Sequence, residues 1–136
     1  MRISRATDYG VRLVVYLAEK PEQIVPRSEV AREMEIPSEF LAKIAQNLAK
    51  AGIIEIKQGR SGGYLLRRDP SELTLLEVVE ALEGEICLNV CVGRPEACCL
   101  SNRCKVHLVW EAARDGLRKL LQGIPVAKLK FNFKQK

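Results

Sequence analysis

Residues 38–67 read SEFLAKIAQNLAKAGIIEIKQGRSGGYLLR, and the hydrophobic period changes part-way along them. Phe40, Leu41, Ile44, Ala45, Leu48 and Ala51 fall at the three-and-four spacing of one helix face. Gly52 is a natural helix stop, because glycine takes the left-handed backbone that ends many helices. Beyond it, Ile53-Ile54-Glu55-Ile56-Lys57 is short and β-branched, QGRSGG supplies three glycines for a tight turn, and Tyr64-Leu65-Leu66-Arg67 returns. The stretch predicts an amphipathic helix running directly into a β-hairpin.

Two more helices precede it. Arg5 to Ala18 carries Tyr9, Leu13, Val14, Tyr16 and Leu17 at helical spacing, with Ser4 or Thr7 to cap its start and Pro21 to end it. In VPRSEVAREMEIP (25–37), Ser28 is a candidate N-cap, Val30, Ala31 and Met34 make a short apolar face, and Ile36-Pro37 stops it. Ser38 is the candidate cap of the next helix. Two short helices joined by Glu35-Ile36-Pro37 suit a helix-turn-helix, whose second helix lies in the DNA major groove with its first residues at base edges. Those residues are Ser38, Glu39, Phe40, Ala42 and Lys43, while Lys43, Gln46, Lys50 and Lys57 have the length to meet phosphates. The hairpin tip, Lys57-Gln58-Gly59-Arg60-Ser61, forms a wing whose arginine suits a narrow minor groove. The expected DNA-binding set is therefore Ser38, Glu39, Phe40, Lys43, Lys57, Gln58, Arg60 and Ser61. The plainer alternative is a structural β-ribbon beside an ordinary core helix.

Charge follows the same division. Residues 1–68 carry twelve Lys/Arg against eight Asp/Glu, residues 69–104 two against seven, and residues 105–136 eight against two. A basic head suits a polyanion partner. DPSELTLLEVVEALEG (69–84) predicts a turn and a connecting helix with Leu75, Val78, Val79 and Leu82 on one face. A second long helix is expected over 104–122, with Leu108, Trp110, Ala113, Leu117, Leu120 and Leu121 approximating a stripe, followed by a basic tail. No apolar run reaches the roughly 20 residues of a membrane span. MRISRATDYGVRLVVYLAEK lacks the pattern of a secretory leader, so a cytoplasmic protein without membrane partners is expected. No enzyme is expected either. There is no second histidine for acid–base work and no paired carboxylates in a polar setting, and the glycine-rich QGRSGG sits between strands rather than before a helix.

CLNVCVGRPEACCLSNRCKVH (87–107) gathers all five cysteines and the single histidine into a stretch without periodicity. An odd count in an intracellular chain argues against a disulfide framework. Zinc sites favour pairs of ligands two to four residues apart, and only Cys87/Cys91 and the adjacent Cys98/Cys99 are so close. Wide spacing on a loop suits an iron–sulfur cluster better. Cys104 and His107 stand one helical turn apart and can face one centre. Cys91, Cys98, Cys104 and His107 are the expected ligands, with Cys99 as the alternative to Cys98 and Cys87 outside the set. The competing readings are redox-active thiols without metal and a hydrogen-bonded surface histidine.

Three stretches, MRISRATDYGVRLVVYLA (1–18), GIIEIKQGRSGGYLL (52–66) and CLSNRCKVHLVWEAARDGL (99–117), together resemble the Rrf family of bacterial winged-helix transcriptional regulators, in its IscR-like branch with relatives NsrR and RirA. The resemblance implies a mainly α fold with a small β-hairpin. It would comprise a winged helix-turn-helix head (1–68), a connecting helix (69–83), a cysteine-rich cluster loop (84–103), a long C-terminal dimerisation helix (104–123) and a basic tail (124–136). It implies a homodimer on a double-stranded DNA operator, each protomer holding a cluster near its partner's head. Cys98, Cys104 and His107 map directly onto the branch's ligands, and Cys91 maps with a gap one residue longer, which leaves Cys99 open. A 2Fe–2S cluster is favoured. Asp8 stands where the nitric-oxide-sensing branch places a carboxylate ligand to a 4Fe–4S cluster, as the alternative to His107. The implied activity is transcription control by cluster status, redox state or nitric oxide; the alternative is a cluster-free repressor of the same fold that responds to thiol oxidation or a small molecule.

Overall fold

The computed structural model describes residues 2–130. Helix α1 spans Arg5–Ala18, with Ser4 as its cap: the Ser4 hydroxyl accepts the Thr7 N–H at 3.2 Å. Helices α2 (Arg27–Glu33) and α3 (Ser38–Lys50) do not use the serines expected to cap them. Pro26 and Pro37 take the N-cap positions, and neither helix has a side-chain cap bond. The proline ring already holds φ at −58° with an extended ψ, so the entry angle is set by the backbone and the serines move into the first turn.

The turn between α2 and α3 is closed by Glu35, which takes a left-handed φ of 53° without glycine. Ile36 N–H then donates to Ala31 O at 3.0 Å and the Ile36 side chain is buried. The same closure ends α3, where Gly52 (φ 76°) brings Ile53 N–H to Leu48 O at 3.0 Å. The helix therefore reverses straight into strand β1 (Ile54–Lys57), which pairs antiparallel with β2 (Gly63–Leu66), Ile54 opposite Leu66 and Lys57 opposite Gly63. Val25 adds a bridge on the outer edge of the hairpin, exchanging two 2.8 Å hydrogen bonds with Tyr64. That bridge explains Gly63: a Cβ there would run into the Val25 carbonyl oxygen, and φ is 154°.

Helix α4 (Leu75–Glu83) opens on a reciprocal cap. Thr74 accepts the Glu77 N–H at 3.2 Å and Glu77 accepts the Thr74 N–H at 3.0 Å. The core lies where α1, α3 and α4 meet, with Leu13, Leu17, Leu41, Leu48, Leu73 and Val78 all at or near zero exposure. Tyr16 ties α1 to α2 by donating its hydroxyl to Glu29 at 2.6 Å. Burial and then that carboxylate push the phenol well above its usual range, and the bond holds Glu29 below its own.

The cysteine-rich loop, read from the sequence as a stretch without periodicity, contains one helical turn, α5 (Val90–Gly93), and two 3-10 turns at Pro95–Ala97 and Ser101–Arg103. The long helix α6 spans Lys105–Gln122. Its apolar stripe is not core. Leu108 is 61% and Leu120 62% exposed, Val106, Val109 and Trp110 are exposed too, and the one buried residue of the helix is His107. After α6 the chain returns to the head, through a bridge between Thr74 and Pro125 and a 3-10 turn over Val126–Lys128. Val126, assigned from sequence to a basic tail, is 1% exposed in the core. The last part of that tail, 131–136, lies outside the described residues.

One carboxylate joins head, loop and long helix. Glu80 on α4 accepts Arg118 Nη2 at 2.9 Å and Nε at 3.2 Å from α6, and Ile86 N–H at 2.8 Å from the start of the loop. Arg118 above all, and then the Ile86 amide, hold the Glu80 carboxyl below its ordinary value, against the opposing effect of burial. A carboxyl depressed in the folded state contributes stability above its ordinary pKa and loses it as pH falls through the folded value. Glu80→Gln is therefore expected to lower stability by about 1–2 kcal/mol at neutral pH, with a smaller loss on acidification than wild type, both read by urea melts across pH. Leu41→Ala, which empties a fully buried site, is expected to cost about 3 kcal/mol in the same assay.

Candidate nucleic-acid interface and thiol arm

The head presents two surfaces. On α3, burial of Leu41, Ile44, Ala45 and Leu48 turns Ser38, Glu39, Phe40 and Lys43 outward. The wing tip exposes Lys57, Gln58, Arg60 and Ser61, its turn closed by Gly62 N–H donating to Gly59 O at 3.0 Å. Lys57 is not a free cation: its ammonium lies 2.8 Å from Glu55, whose carboxyl it holds low. A phosphate at Lys57 would compete with that partner.

A third element, absent from the expected DNA-binding set, stands beside the start of α3. Tyr9 of α1 packs on Phe40 with ring centroids 6.0 Å apart, and Phe40 remains 47% exposed. The guanidinium groups of Arg12 and Arg5 lie 5.3 and 5.9 Å from the Tyr9 ring centroid. Arg5, Tyr9 and Arg12 share a helix face by spacing alone, but their meeting with Phe40 is a tertiary contact with no sequence signal. Arg12 also donates to Met34 O at 3.0 Å and to Asp8 at 2.8 Å. Asp8, the alternative iron ligand, is thus held in an ion pair on its own helix.

The second region is the arm formed by the loop and the start of α6. All five thiols are free; Cys91 and Cys104 are half-buried, and Cys87, Cys98 and Cys99 are exposed. Burial pushes the Cys91 thiol up, and its neighbours Cys98 and Cys104 push it further, with Cys87 last. Cys98, Cys104 and Cys87 therefore each lie within electrostatic reach of Cys91. Cys87 is engaged locally, donating its S–H to Asn89 O at 2.6 Å. An open pocket of about 400 Å³ lies alongside, lined by Cys98, Cys99, Ser101 and His107 among others.

His107 and Ser101 are each 7% exposed. His107 Nε2 lies 3.1 Å from Glu111 Oε1, whereas His107 Nδ1 and Ser101 Oγ are buried without a hydrogen-bond partner. Among the described residues no three His, Cys, Asp or Glu side chains converge closely enough to hold a metal ion. The donors are neighbours that are not assembled. Their chemistry, several thiols beside an unsatisfied imidazole nitrogen, nevertheless fits a thiophilic metal centre.

Comparison with known proteins extends over both regions. Residues 3–132 match the family model described as Rrf2, "Iron-dependent Transcriptional regulator". The chain is 32% identical to the HTH-type transcriptional regulator NsrR of Shouchella clausii, over 97% of this chain and 90% of that one. It is 29% identical to the HTH-type transcriptional regulator IscR of Photorhabdus laumondii, over 95% of this chain and 79% of that one. Among solved structures, the oxidised form of CymR from Staphylococcus aureus superposes with a TM-score of 0.73 at 26% identity, over 97% of this chain and 98% of that one. Among the described residues no helix is long and apolar enough to cross a membrane. Because these likenesses continue past the winged head through the cysteine arm and α6, the chain belongs to the Rrf2 family of transcriptional regulators and is not an enzyme.

Proposed function

We propose that this regulator binds its operator as a homodimer and that its DNA affinity is set by a 2Fe–2S cluster held by Cys91, Cys98, Cys104 and His107. One observation carries the reading: the only histidine of the chain is nine-tenths buried with an unpartnered Nδ1, and it lines a pocket together with Cys98 and Cys99. Two others refine the ligand set. Cys98 and Cys104 are both among the neighbours that raise the Cys91 thiol, and Cys99 stays the alternative to Cys98. Asp8, the route to a 4Fe–4S centre, is already paired with Arg12. When bound, the cluster would supply a redox-active cross-link among these four side chains. The protein's part is to carry the change outward: the Ile86 N–H at the loop's start and Arg118 of α6 share the Glu80 carboxylate, so rearranging the arm loads a bond on the head's connecting helix.

The open apolar face of α6 supports the homodimer, with helix 104–123 as its interface. In this arrangement the loop (84–103) and connecting helix (69–83) join that interface to the DNA-reading head (1–68). Ser38, Glu39, Phe40 and Lys43 read base edges while Arg60 enters the minor groove between Gln58 and Ser61.

A cluster-free thiol sensor is the second reading. It is favoured by the exposed adjacent pair Cys98–Cys99 and by the likeness to a CymR structure in its oxidised form.

Anaerobic reconstitution with iron and sulfide separates the two. Wild type is expected to take up stoichiometric iron and develop visible absorption, and Cys104→Ala to lose both. Equal, non-stoichiometric iron in the two proteins would sink the cluster reading. A colourless wild type whose operator binding changes with peroxide would establish the thiol sensor. On the DNA side, Arg60→Ala is expected to weaken operator binding at matched salt and to lower the salt slope by about one. An unchanged gel-shift affinity removes the minor-groove role.

A further inference from the structure

The two ring nitrogens of His107 are treated unequally. Nε2 faces Glu111 Oε1 at 3.1 Å, one helical turn along α6, while Nδ1 is shut off from solvent with no partner. A neutral imidazole carries one proton. Placed on Nε2, it lies beside the carboxylate oxygen 3.1 Å away, which attracts it. Placed on Nδ1, it would leave the Nε2 lone pair facing a carboxylate oxygen and a buried N–H unsatisfied, which is costly on both counts. Glu111 therefore selects the Nε2–H tautomer and leaves the lone pair on Nδ1. His107 lines the pocket together with Cys98, Cys99 and Ser101, whose own hydroxyl is also buried and unpartnered.

We propose that Glu111 is the positioning residue of the arm: it fixes the tautomer and ring orientation of His107 so that Nδ1, and not Nε2, is the nitrogen offered to the metal centre. Metal-binding imidazoles commonly donate their second N–H to a carboxylate, which holds the ring and raises its basicity. What the nitrogen is offered to rests on the cluster reading above; the tautomer does not. Neither Cys-x2-His spacing nor helix periodicity distinguishes Glu111 from the other polar positions of α6, so the assignment comes from the contact alone.

Because His107 is the only histidine, full-length metal-free protein labelled with 15N-histidine gives one imidazole spectrum. At pH 8 the wild type is expected to show an unprotonated Nδ1 and an Nε2 proton slowed in exchange with water. Glu111→Leu should lose that protection, and Glu111→Gln, whose amide oxygen still accepts, should keep it. A proton on Nδ1, or an Nε2 proton equally protected in Glu111→Leu, overturns the proposal. In reconstituted protein, iron release to a chelator should be roughly 10–100-fold faster in Glu111→Leu than in wild type, with Glu111→Gln between them. Equal release rates likewise overturn it. If no preparation binds iron, the cluster reading and the metal half of this assignment fail together, while the imidazole spectrum still decides the role of Glu111 in the tautomer.

Discussion

The Glu80 carboxylate is the joint on which the architecture turns. α6 contributes almost nothing to the hydrophobic core, so packing alone would not fix its direction relative to the head. Glu80 fixes it instead, with both oxygens engaged by one guanidinium and one of them shared with the Ile86 amide at the start of the loop. A bidentate arginine–carboxylate pair is directional in a way that apolar contact is not. It is also partly shielded, with the Glu80 side chain only 18% exposed. Head, loop and long helix thus meet at one charge, and the return of Ile124–Val126 onto the residues just before α4 closes the frame from the other side.

The head was legible in the sequence because its information is local. Three helices were marked by the spacing of Leu13 and Leu17, of Val30 and Met34, and of Leu41, Ile44 and Leu48, and the hairpin by β-branched residues around glycines. Those side chains are the ones that the structure buries. The misreadings there are instructive. Ser28 and Ser38 looked like caps, but a proline one or two residues earlier had already set the entry backbone. Gly63 looked like generic turn chemistry, whereas its reason is the close passage of Val25, far away in the chain. Neither the Val25 bridge nor the burial of Val126 could be read from periodicity, since each is a single residue answering to a distant partner.

The arm was legible in a different sense. Composition located it, because all the cysteines and the histidine lie between residues 87 and 107, and spacing proposed a ligand set. Spacing could not show that Cys98 and Cys104 both act on Cys91, that Cys87 is occupied with Asn89, or that Asp8 is taken by Arg12. The stripe on α6 carried the opposite ambiguity. Apolar residues at helical spacing look alike whether they face a core or a missing partner, and only the fold reveals that Leu108 and Leu120 face outward.

From Gly84 to Gln122 only Val92, Ser101 and His107 are buried, and two of those three bury a polar atom without a partner. A segment that conceals so little apolar surface gains little from hydrophobic burial, while two unsatisfied polar atoms count against it. Any ligand that binds only the ordered arm stabilises it by mass action. The two surfaces that such ordering would use lie on one rigid helix: His107 faces inward on α6, and Val106, Leu108 and Val109 are its exposed neighbours. The buried imidazole and the exposed apolar face thus belong to the same helical turn. Glu80 joins α6 to α4, and α4 packs against the same core as α3. The arm's sparse burial thus stands against a head whose core is closely packed.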